Sequence, residues 1–341
     1  MRFGINQATD DLPNYGELVR RTEAIGVELV GVPDTQAGQY RECYVTLSHA
    51  LSNTTRVLAG PVVSNAVTRH PAVTAAAIAS ADELSGGRAF LGMATGDTGL
   101  INLGLRPVRM ADLEAYILAV RELFDEGRTT WKGRTARLRW LQRPVPIYLA
   151  ADGPKMLRMA GRVADGVICG MGFRPENVRR VQQFVAEGAR EAGRSPDEIA
   201  IWYWTRVAVA DSRDEALEMV RPSLAASSAH AFRFSLEGKE VPEDYEEPIR
   251  ELERRYDPGF HNQPGPDNPN ARAVAELGLT EYLASRFGVA GTEEQCIGRI
   301  RELQGHGVER VLCRPIVHDR YGFLDRWERV IAATRNGSGG G

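Results

Sequence analysis

Three side chains with acid–base chemistry adjoin short apolar runs of the sequence. Asp34 follows the run GVP, His70 precedes Pro71, and Asp97 ends the run Thr-Gly-Asp. Carboxylic acids and imidazole are groups that enzymes use to give a proton to a reacting atom or to take one from it. We therefore predict Asp34, His70 and Asp97 as candidate catalytic residues. Helix capping or a supporting hydrogen bond is the alternative role for each of them.

Two glycine-bearing segments have the chemistry of an anion site. The segments are Gly153-Pro154-Lys155 and Gly170-Met171-Gly172. Each leads towards a predicted helix, whose first backbone N–H groups lack partners within the helix and whose dipole favours a negative charge. Glycine lets the backbone approach a ligand closely, and Lys155 adds a positive charge. The segments therefore predict contacts with an anionic group, with ordinary helix capping as the alternative.

Short apolar runs alternate with amphipathic helices along almost the whole chain, which predicts the elements that position these residues. The predicted strands are residues 2–8, 28–33, 56–63, 88–94, 145–150, 165–170, 199–209 and 307–315. The predicted main helices are residues 15–25, 44–51, 72–84, 110–126, 154–163, 175–192, 214–225, 293–304 and 323–334. This order predicts an α/β fold of the (β/α)₈ TIM-barrel class. An open doubly wound sheet is the competing fold, but no GxGxxG motif follows a predicted strand.

Polar residues and glycines concentrate at the carboxyl ends of the predicted strands. These ends are residues 6–7, 34–35, 64–65, 95–97, 152–153 and 171–172. The loops after the strands form the functional face of a (β/α)₈ barrel. The pattern therefore favours an enzyme.

The charge and the cysteine pattern exclude several functional classes. The formal net charge is −3, so no basic field is available for nucleic acid or an anionic membrane. No run approaches the roughly 20 apolar residues of a membrane span. The four cysteines and six histidines show neither a disulfide framework nor metal-ligand spacing, so we predict no metal. A reducing cytoplasm is the predicted compartment, and the amino terminus reads as a strand rather than a signal peptide.

One long segment interrupts the alternation. Residues 234–287 lie between the seventh and eighth units and are rich in charged residues, proline and asparagine. We predict helices within this segment at residues 244–256 and 271–287, with a loop between them. Residues 1–336 are expected to form a single barrel domain that carries 234–287 as an insertion, either a lid or interaction surface or a segment without function. The run GSGGG at 337–341 is expected to be a flexible tail.

Three runs together resemble the luciferase-like flavin oxidoreductases. They are TRHPAVTAAAIASADELSGGRAFLGMATGD at 68–97, PIYLAADGPKMLRMAGRVADGVICG at 146–170 and GVAGTEEQCIGRIRELQGHGVERVL at 288–312. The chain is most similar to the branch typified by methylenetetrahydromethanopterin reductase, which uses the deazaflavin coenzyme F420. The resemblance covers most of the chain except 234–287.

The resemblance implies a (β/α)₈ barrel with the flavin in its mouth, often in a homodimer. The cofactor-binding residues that it implies are Val62, Val63, Ser64, Asn65, Thr95, Gly96, Asp97, Gly153, Pro154, Lys155, Met156, Gly170, Met171 and Gly172. Among them, Val62–Val63 corresponds to a non-proline cis peptide that supports the middle of the ring. The segment 95–97 would line the opposite stretch of the ring, and 153–156 would receive its phosphate end.

The leading functional prediction is hydride transfer between coenzyme F420 and a small organic substrate. Reductases of this branch carry a carboxylate near the end of the first strand, where this chain has Asn6 and Gln7, so no pterin substrate is predicted. The alternative is an FMN-dependent monooxygenase that uses O₂ and receives reduced flavin from a partner reductase. A non-catalytic flavin-binding barrel and a metal-dependent hydrolase are the more distant readings.

Overall fold

A computed structural model of the chain describes residues 1–35, 37, 40–233, 235–261 and 263–336. The strands are Arg2–Asn6 (β1), Leu29–Val32 (β2), Leu58–Pro61 (β3), Ser64–Asn65 (β4), Leu91–Ala94 (β5), Arg128–Trp131 (β6), Arg134–Arg137 (β7), Ile147–Ala150 (β8), Gly166–Cys169 (β9), Ala200–Val209 (β10), Gly288–Gly291 (β11) and Arg310–Cys313 (β12). The α-helices are Leu12–Ala24 (α1), Cys43–Ser52 (α2), Pro71–Ser85 (α3), Thr98–Ile101 (α4), Met110–Glu126 (α5), Pro154–Val163 (α6), Pro175–Glu191 (α7), Arg213–Phe232 (α8), Glu243–Arg255 (α9), Pro269–Glu276 (α10), Thr280–Phe287 (α11), Glu293–Gly305 (α12) and Arg320–Asn336 (α13). Phe234, where the predicted insertion begins, and the predicted tail 337–341 lie outside the described residues.

The chain divides into two compact units. The first unit comprises residues 4–168 and 183–201. The second unit comprises Met1–Phe3, Cys169–Gln182 and the chain from Trp202 onward. The single domain over 1–336 stays a prediction.

The strands of the first unit are parallel, except in the antiparallel hairpin of β6 and β7. Parallel pairs join β1 to β2, β2 to β3, β4 to β5, β5 to β8 and β8 to β9. Two glycines let the backbones of β3 and β5 approach each other. A Cβ atom on Gly60 would lie 2.0 Å from the Phe90 carbonyl oxygen, and one on Gly92 would lie 2.0 Å from the Pro61 carbonyl oxygen. Because parallel strands end at the same edge, the loops after β2, β4, β5 and β8 emerge together.

Helix α3 begins and ends at the residues that the sequence signals indicate. His70 is its N-cap, Pro71 is its first residue, and Gly86 ends it with φ of 70°. The Gly87 N–H group donates to the Asp82 carbonyl oxygen at 2.9 Å. The helix thus ends at glycines, which adopt the left-handed conformation easily because they have no Cβ atom. A glycine of this kind is a common helix stop. The predicted helix at 72–84 is confirmed.

The second unit holds the remaining parallel strands and the insertion. Strand β10 pairs in parallel with β11 and with β12, and Trp327 of α13 packs edge-on against Phe3. Parallel strands that alternate with helices through both units have the order of a (β/α)₈ barrel. No helix in the described ranges has the length and apolarity needed to span a membrane.

The insertion folds on α8 around an apolar core. Its buried side chains, which include Ile249, Leu252 and Leu283, belong to one cluster with Leu224 of α8. The predicted helix at 244–256 is confirmed as α9. The predicted helix at 271–287 is wrong as a single element, because Gly278 has φ of 67° and separates α10 from α11. A left-handed glycine stops a helix at that point.

The loop between the insertion helices is held by two buried asparagines. The Asn268 side chain caps α10 by accepting from the Asn270 N–H at 2.8 Å and the Ala271 N–H at 3.2 Å. The Asn270 side chain accepts from the Asp257 N–H and donates to the Asp257 carbonyl, both at 2.8 Å. These bonds tie the end of α9 to the start of α10.

Candidate active site

Asp34 follows β2 in the first unit and is 5 % exposed. Its Oδ2 atom accepts a hydrogen bond from the Ser64 hydroxyl at 2.6 Å and an ion-paired hydrogen bond from Arg69 at 2.7 Å. Arg69 also pairs with Glu42 at 2.8 Å, and its guanidinium lies over the Tyr44 ring. The Asp34 carboxylate therefore joins the end of β2 to the segment 64–69. This geometry favours a positioning role for Asp34 over proton transfer.

Arg69 is the functional candidate that the sequence prediction missed. Burial alone would lower the pKa of Arg69, but the hydrogen bond and the charge of Asp34 raise it above its usual range. Its carbonyl oxygen accepts from the Tyr116 hydroxyl at 3.1 Å, and that hydroxyl also bonds the Thr74 hydroxyl at 2.6 Å. Burial raises the pKa of Tyr116 to about 12, so the phenol is neutral at physiological pH. The only sequence signal was a charged residue beside His70.

The peptide bond between Val62 and Val63 is cis, as the family resemblance implied. The Asn6 side chain donates to the Val62 carbonyl oxygen at 3.4 Å. A Cβ atom on Gly31 would lie 2.7 Å from Val62 Cγ2, so β2 requires glycine behind this peptide. The Asn6 Oδ1 atom is buried and has no hydrogen-bond partner among the described residues. Gln7 instead donates to the Thr22 hydroxyl at 2.7 Å, which gives it a structural role.

The loop after β5 packs against the ends of β2 and β4. Gly96 has φ of 104°, and a Cβ atom there would lie 3.7 Å from Asn65 Cβ. A Cβ atom on Gly99 would lie 2.7 Å from the Asp34 carbonyl oxygen. Asp97 is half-buried and is the N-cap of α4. The structure therefore brings Asp34, Asn65 and the segment 95–97 together at one edge of the first unit.

Helix α6 begins at the same edge, because β8 pairs with β5 in parallel. Gly153 is its N-cap, and no side chain caps this end. A Cβ atom on Gly153 would meet nothing within 4 Å, and Pro154 and Lys155 are exposed. The amino end of α6 is thus an open set of backbone donors. This donor set fits the phosphate of a flavin-type cofactor.

Comparison with known proteins decides the family. The model of the luciferase-like monooxygenase family matches residues 2–310. The chain belongs to the luciferase-like monooxygenase family. It is accordingly an enzyme of the luciferase-like oxidoreductase type, which confirms the predicted class.

Relatives of this luciferase-like chain include both deazaflavin and flavin proteins. It is 28 % identical over 336 residues to a 5,10-methylenetetrahydromethanopterin reductase from Methanopyrus kandleri, covering 91 % of each chain. The solved coenzyme F420-dependent tetrahydromethanopterin reductase from Methanopyrus kandleri is 24 % identical, with a TM-score of 0.75 and coverage of 96 % of this chain and 97 % of that one. An oxygenating constituent of 3,6-diketocamphane monooxygenase from Pseudomonas putida, solved with FMN, is 15 % identical, with a TM-score of 0.64 and coverage of 97 % and 96 %. These structures confirm the predicted (β/α)₈ barrel.

His70 performs a capping role in this luciferase-like fold. Its Nδ1 atom accepts a hydrogen bond from the Ala72 N–H at 3.1 Å, and the side chain is exposed. Accepting this bond places the proton of the neutral imidazole on Nε2. Catalysis by His70 or Asp97 stays a prediction.

The segment 170–172 lies in the second unit, where it packs against the end of the insertion. A Cβ atom on Gly172 would lie 2.5 Å from the Arg286 carbonyl oxygen, and the Phe173 N–H donates to that oxygen at 2.7 Å. The Asn177 side chain donates to the Met171 carbonyl oxygen at 3.1 Å. These contacts account for the glycine at 172 by packing. Cofactor binding by Gly170, Met171 and Gly172 stays a prediction.

The described ranges contain no group of three or more His, Cys, Asp or Glu side chains arranged to hold a metal ion. The first unit does offer the uncapped amino end of α6, the buried Asn6 amide oxygen and the Arg69–Asp34 ion pair. These groups suit recognition of an organic cofactor through hydrogen bonds and one anionic group.

Proposed function

We propose that this chain is an oxidoreductase that transfers a hydride between coenzyme F420 and a small organic substrate. The observation that carries the proposal is its similarity to a methylenetetrahydromethanopterin reductase over 91 % of both chains. The solved structure of such a reductase is described as dependent on coenzyme F420. The donor set at the open amino end of α6 supports it, because that end can receive the phosphate of such a cofactor.

The residues of α6 would hold the phosphate end of the cofactor. In our proposal, the backbone N–H groups at Gly153, Lys155 and Met156 donate to the phosphate, and the Lys155 ammonium adds its charge. Pro154 has no N–H group and fixes φ for the first turn. Lys155 is exposed, so we expect the backbone donors and the helix dipole to contribute most of the recognition.

The cofactor ring would lie between two segments of the first unit. Residues Val62, Val63, Ser64 and Asn65 would support one part of the ring, and Thr95, Gly96 and Asp97 would line another. When bound, F420 supplies a ring carbon that gives or accepts a hydride in a two-electron step. The Asp34–Arg69 pair, which is 2.7 Å long, would hold the first segment in place while the cofactor binds and leaves.

The proton that accompanies the hydride needs a donor with an available hydrogen. Asp34 is poorly suited, because its carboxylate already accepts from Ser64 and from Arg69. We assign the proton to Asp97 or His70, which lie on the flanking loops, with the His70 proton held on Nε2. The carboxylate and the imidazole both have ordinary acid–base roles of this kind.

An FMN-dependent monooxygenase that takes reduced flavin from a partner reductase is the second candidate. The fold likeness to the FMN-containing oxygenating constituent from Pseudomonas putida favours it. Binding and oxygen chemistry separate the two functions, since a deazaflavin carries carbon where a flavin has N5 and reacts poorly with O₂.

The test is a fluorescence titration of the apoprotein with F420 and, separately, with FMN. We expect saturable binding of F420 in the micromolar range and no saturable binding of FMN. Binding of FMN alone, together with O₂ consumption when reduced FMN is supplied, would establish the monooxygenase instead. Absence of binding for both cofactors would contradict both functions.

We also propose that the enzyme is a homodimer that pairs through α2, α3 and α5 of the first unit. Three large apolar side chains on α2 and α3 are more than half exposed: Val45 at 57 %, Val73 at 56 % and Leu84 at 59 %. Leu118 of the neighbouring helix α5 is 45 % exposed. Exposed apolar side chains grouped in this way indicate a protein interface, and a second copy is the occupant that we propose.

A cytoplasmic location completes the proposal. All four cysteines, Cys43, Cys169, Cys296 and Cys313, are buried thiols. Burial raises the pKa of Cys296 and of Cys313 to about 12, so both remain protonated and unreactive. Reduced thiols suit a reducing compartment.

A further inference from the structure

Arg206 is a buried cation on β10 in the second unit, with 6 % of its surface exposed. Its Nε–H group donates to the Ser227 hydroxyl at 2.7 Å. Its guanidinium carbon lies 5.4 Å from the centre of the Trp204 ring. No acceptor for its two terminal nitrogens occurs among the described residues. The Ser227 hydroxyl thus fixes the Nε edge of this guanidinium, whereas its terminal nitrogens keep their donors.

The groups around Arg206 do not neutralise it. Burial, together with the positive charge of Arg314, lowers the pKa of Arg206 to about 9. Tyr256 and Cys313 act in the opposite direction. A phenol and a thiol are neutral near pH 7, so the groups that act on Arg206 include a second cation and no carboxylate. A buried charge without a partner is costly unless a ligand supplies the opposite charge.

Four elements of the second unit converge on this guanidinium. Strand β10 carries Arg206 and Trp204 on the same face, since strand residues alternate. Helix α8 supplies Ser227, Arg314 follows β12, and Tyr256 follows helix α9 of the insertion. The Tyr256 hydroxyl is hydrogen-bonded to the His261 ring. The insertion therefore contributes Tyr256 to the groups that act electrostatically on Arg206.

We propose that Arg206, assisted by Arg314 and oriented by Ser227, binds the anionic group of a carboxylate- or phosphate-bearing substrate. The two terminal nitrogens of a guanidinium match the two oxygens of a carboxylate or phosphate in a planar, two-bond contact. The Ser227 hydroxyl holds the guanidinium in one orientation, and Trp204 offers a flat apolar surface beside it. The proposal rests on the proposed oxidoreductase function only in assigning the anion to the substrate of that enzyme.

The test measures binding of inorganic phosphate and of malonate by calorimetry, first to the apoprotein. We expect saturable binding of at least one probe and a loss of affinity of about tenfold or more in Arg206→Gln. Arg206→Lys should retain part of the affinity, and Ser227→Ala should weaken binding severalfold while keeping the charge. Arg301→Gln removes one exposed positive charge on α12 of the same unit and should bind as the wild type does. Circular dichroism checks that each variant is folded.

Two results would overturn the site: no saturable binding of either probe by the wild type, or equal affinity in Arg206→Gln and the wild type. The titration is then repeated on protein saturated with the cofactor that it binds. Retained probe affinity supports a substrate site, whereas competition would assign the anion to the cofactor and overturn the proposal. If the protein does not bind F420 but still binds the anion probe in an Arg206-dependent way, only the proposed cofactor is contradicted.

Discussion

At the scale of single residues, Glu23 organises the start of β3. Its carboxylate accepts hydrogen bonds from the backbone N–H groups of Thr55, Arg56 and Val57 at 2.6–3.1 Å. It also accepts from the Thr55 hydroxyl at 3.1 Å. Burial alone would raise the pKa of Glu23, but these three backbone donors lower it below its usual value. One side chain thus provides acceptors for the backbone N–H groups that precede β3.

We expect Glu23→Gln to lower the free energy of unfolding by about 1–3 kcal/mol at neutral pH. Because the folded pKa of Glu23 is lowered, its stabilisation is present above the unfolded value and is lost as pH falls through the folded pKa. The difference in the free energy of unfolding between variant and wild type should therefore shrink below about pH 4.5. Urea unfolding across this pH range measures it.

Glu17→Gln is the matched control for this prediction. Glu17 lies on the same helix, α1, but its side chain is 63 % exposed and pairs with the exposed Arg20. Exposed ion pairs of this kind contribute little to the free energy of unfolding. The control should therefore unfold almost as the wild type does. An equal loss in Glu23→Gln at every pH would mean that shape, rather than charge, matters at position 23.

At the scale of elements, the amino end of α6 is the proposed binding site for the cofactor phosphate. Gly153→Phe should leave the fold intact, because the backbone has φ of −88° and a Cβ atom there meets nothing within 4 Å. The bulky ring should weaken F420 binding by about tenfold or more by occupying the space in front of the helix dipole. Fluorescence titration measures the affinity, and a thermal melt monitors the fold.

Gly298→Phe is the control for the helix substitution. Gly298 lies on α12 of the second unit, and a Cβ atom there also meets nothing within 4 Å. We expect unchanged F420 affinity in this variant. Unchanged affinity in Gly153→Phe as well would mean that the phosphate binds elsewhere.

Local signals predicted the helices better than the strands or the pairings. Helix α5 at Met110–Glu126 and helix α6 at Pro154–Val163 begin and end at the predicted residues, because caps, prolines and glycines act over a few positions. Strand β11 was missed, since its four residues, Gly288–Gly291, gain strand geometry only by pairing with β10. The turn at Gly278 was also missed within a continuous apolar pattern.

In the candidate site, too, local sequence signals were predictive and contacts that form only on folding were not. The sequence could place Asp34 and Asp97 after strands, because strand ends are readable from apolar runs. It could not predict that Arg69 would pair with Asp34, since the two residues are 35 positions apart and meet only after folding. Arg206 was overlooked for a related reason: an arginine within a strand looks exposed until the structure buries it.

At the scale of the whole molecule, the proposed homodimer can be tested by mass. Wild-type protein should elute with the mass of two chains in light scattering coupled to size-exclusion chromatography. The double variant Val73→Glu/Leu84→Glu should elute as a monomer, because each copy would place charges in an apolar interface. Tyr321→Glu, which changes an exposed aromatic residue on α13 that is 44 % exposed, should remain dimeric. A monomeric wild type would contradict the proposal.

The insertion also bears on how this enzyme could be altered. Arg286 near its end is 1 % exposed, and its guanidinium donates to the carbonyl oxygens of Lys239 and Glu240 and to the Tyr282 hydroxyl. Its own carbonyl oxygen accepts from Phe173, which follows β9. The segment therefore cannot be excised or exchanged between relatives as a self-contained cassette. Any graft would have to restore an acceptor for the Phe173 N–H group.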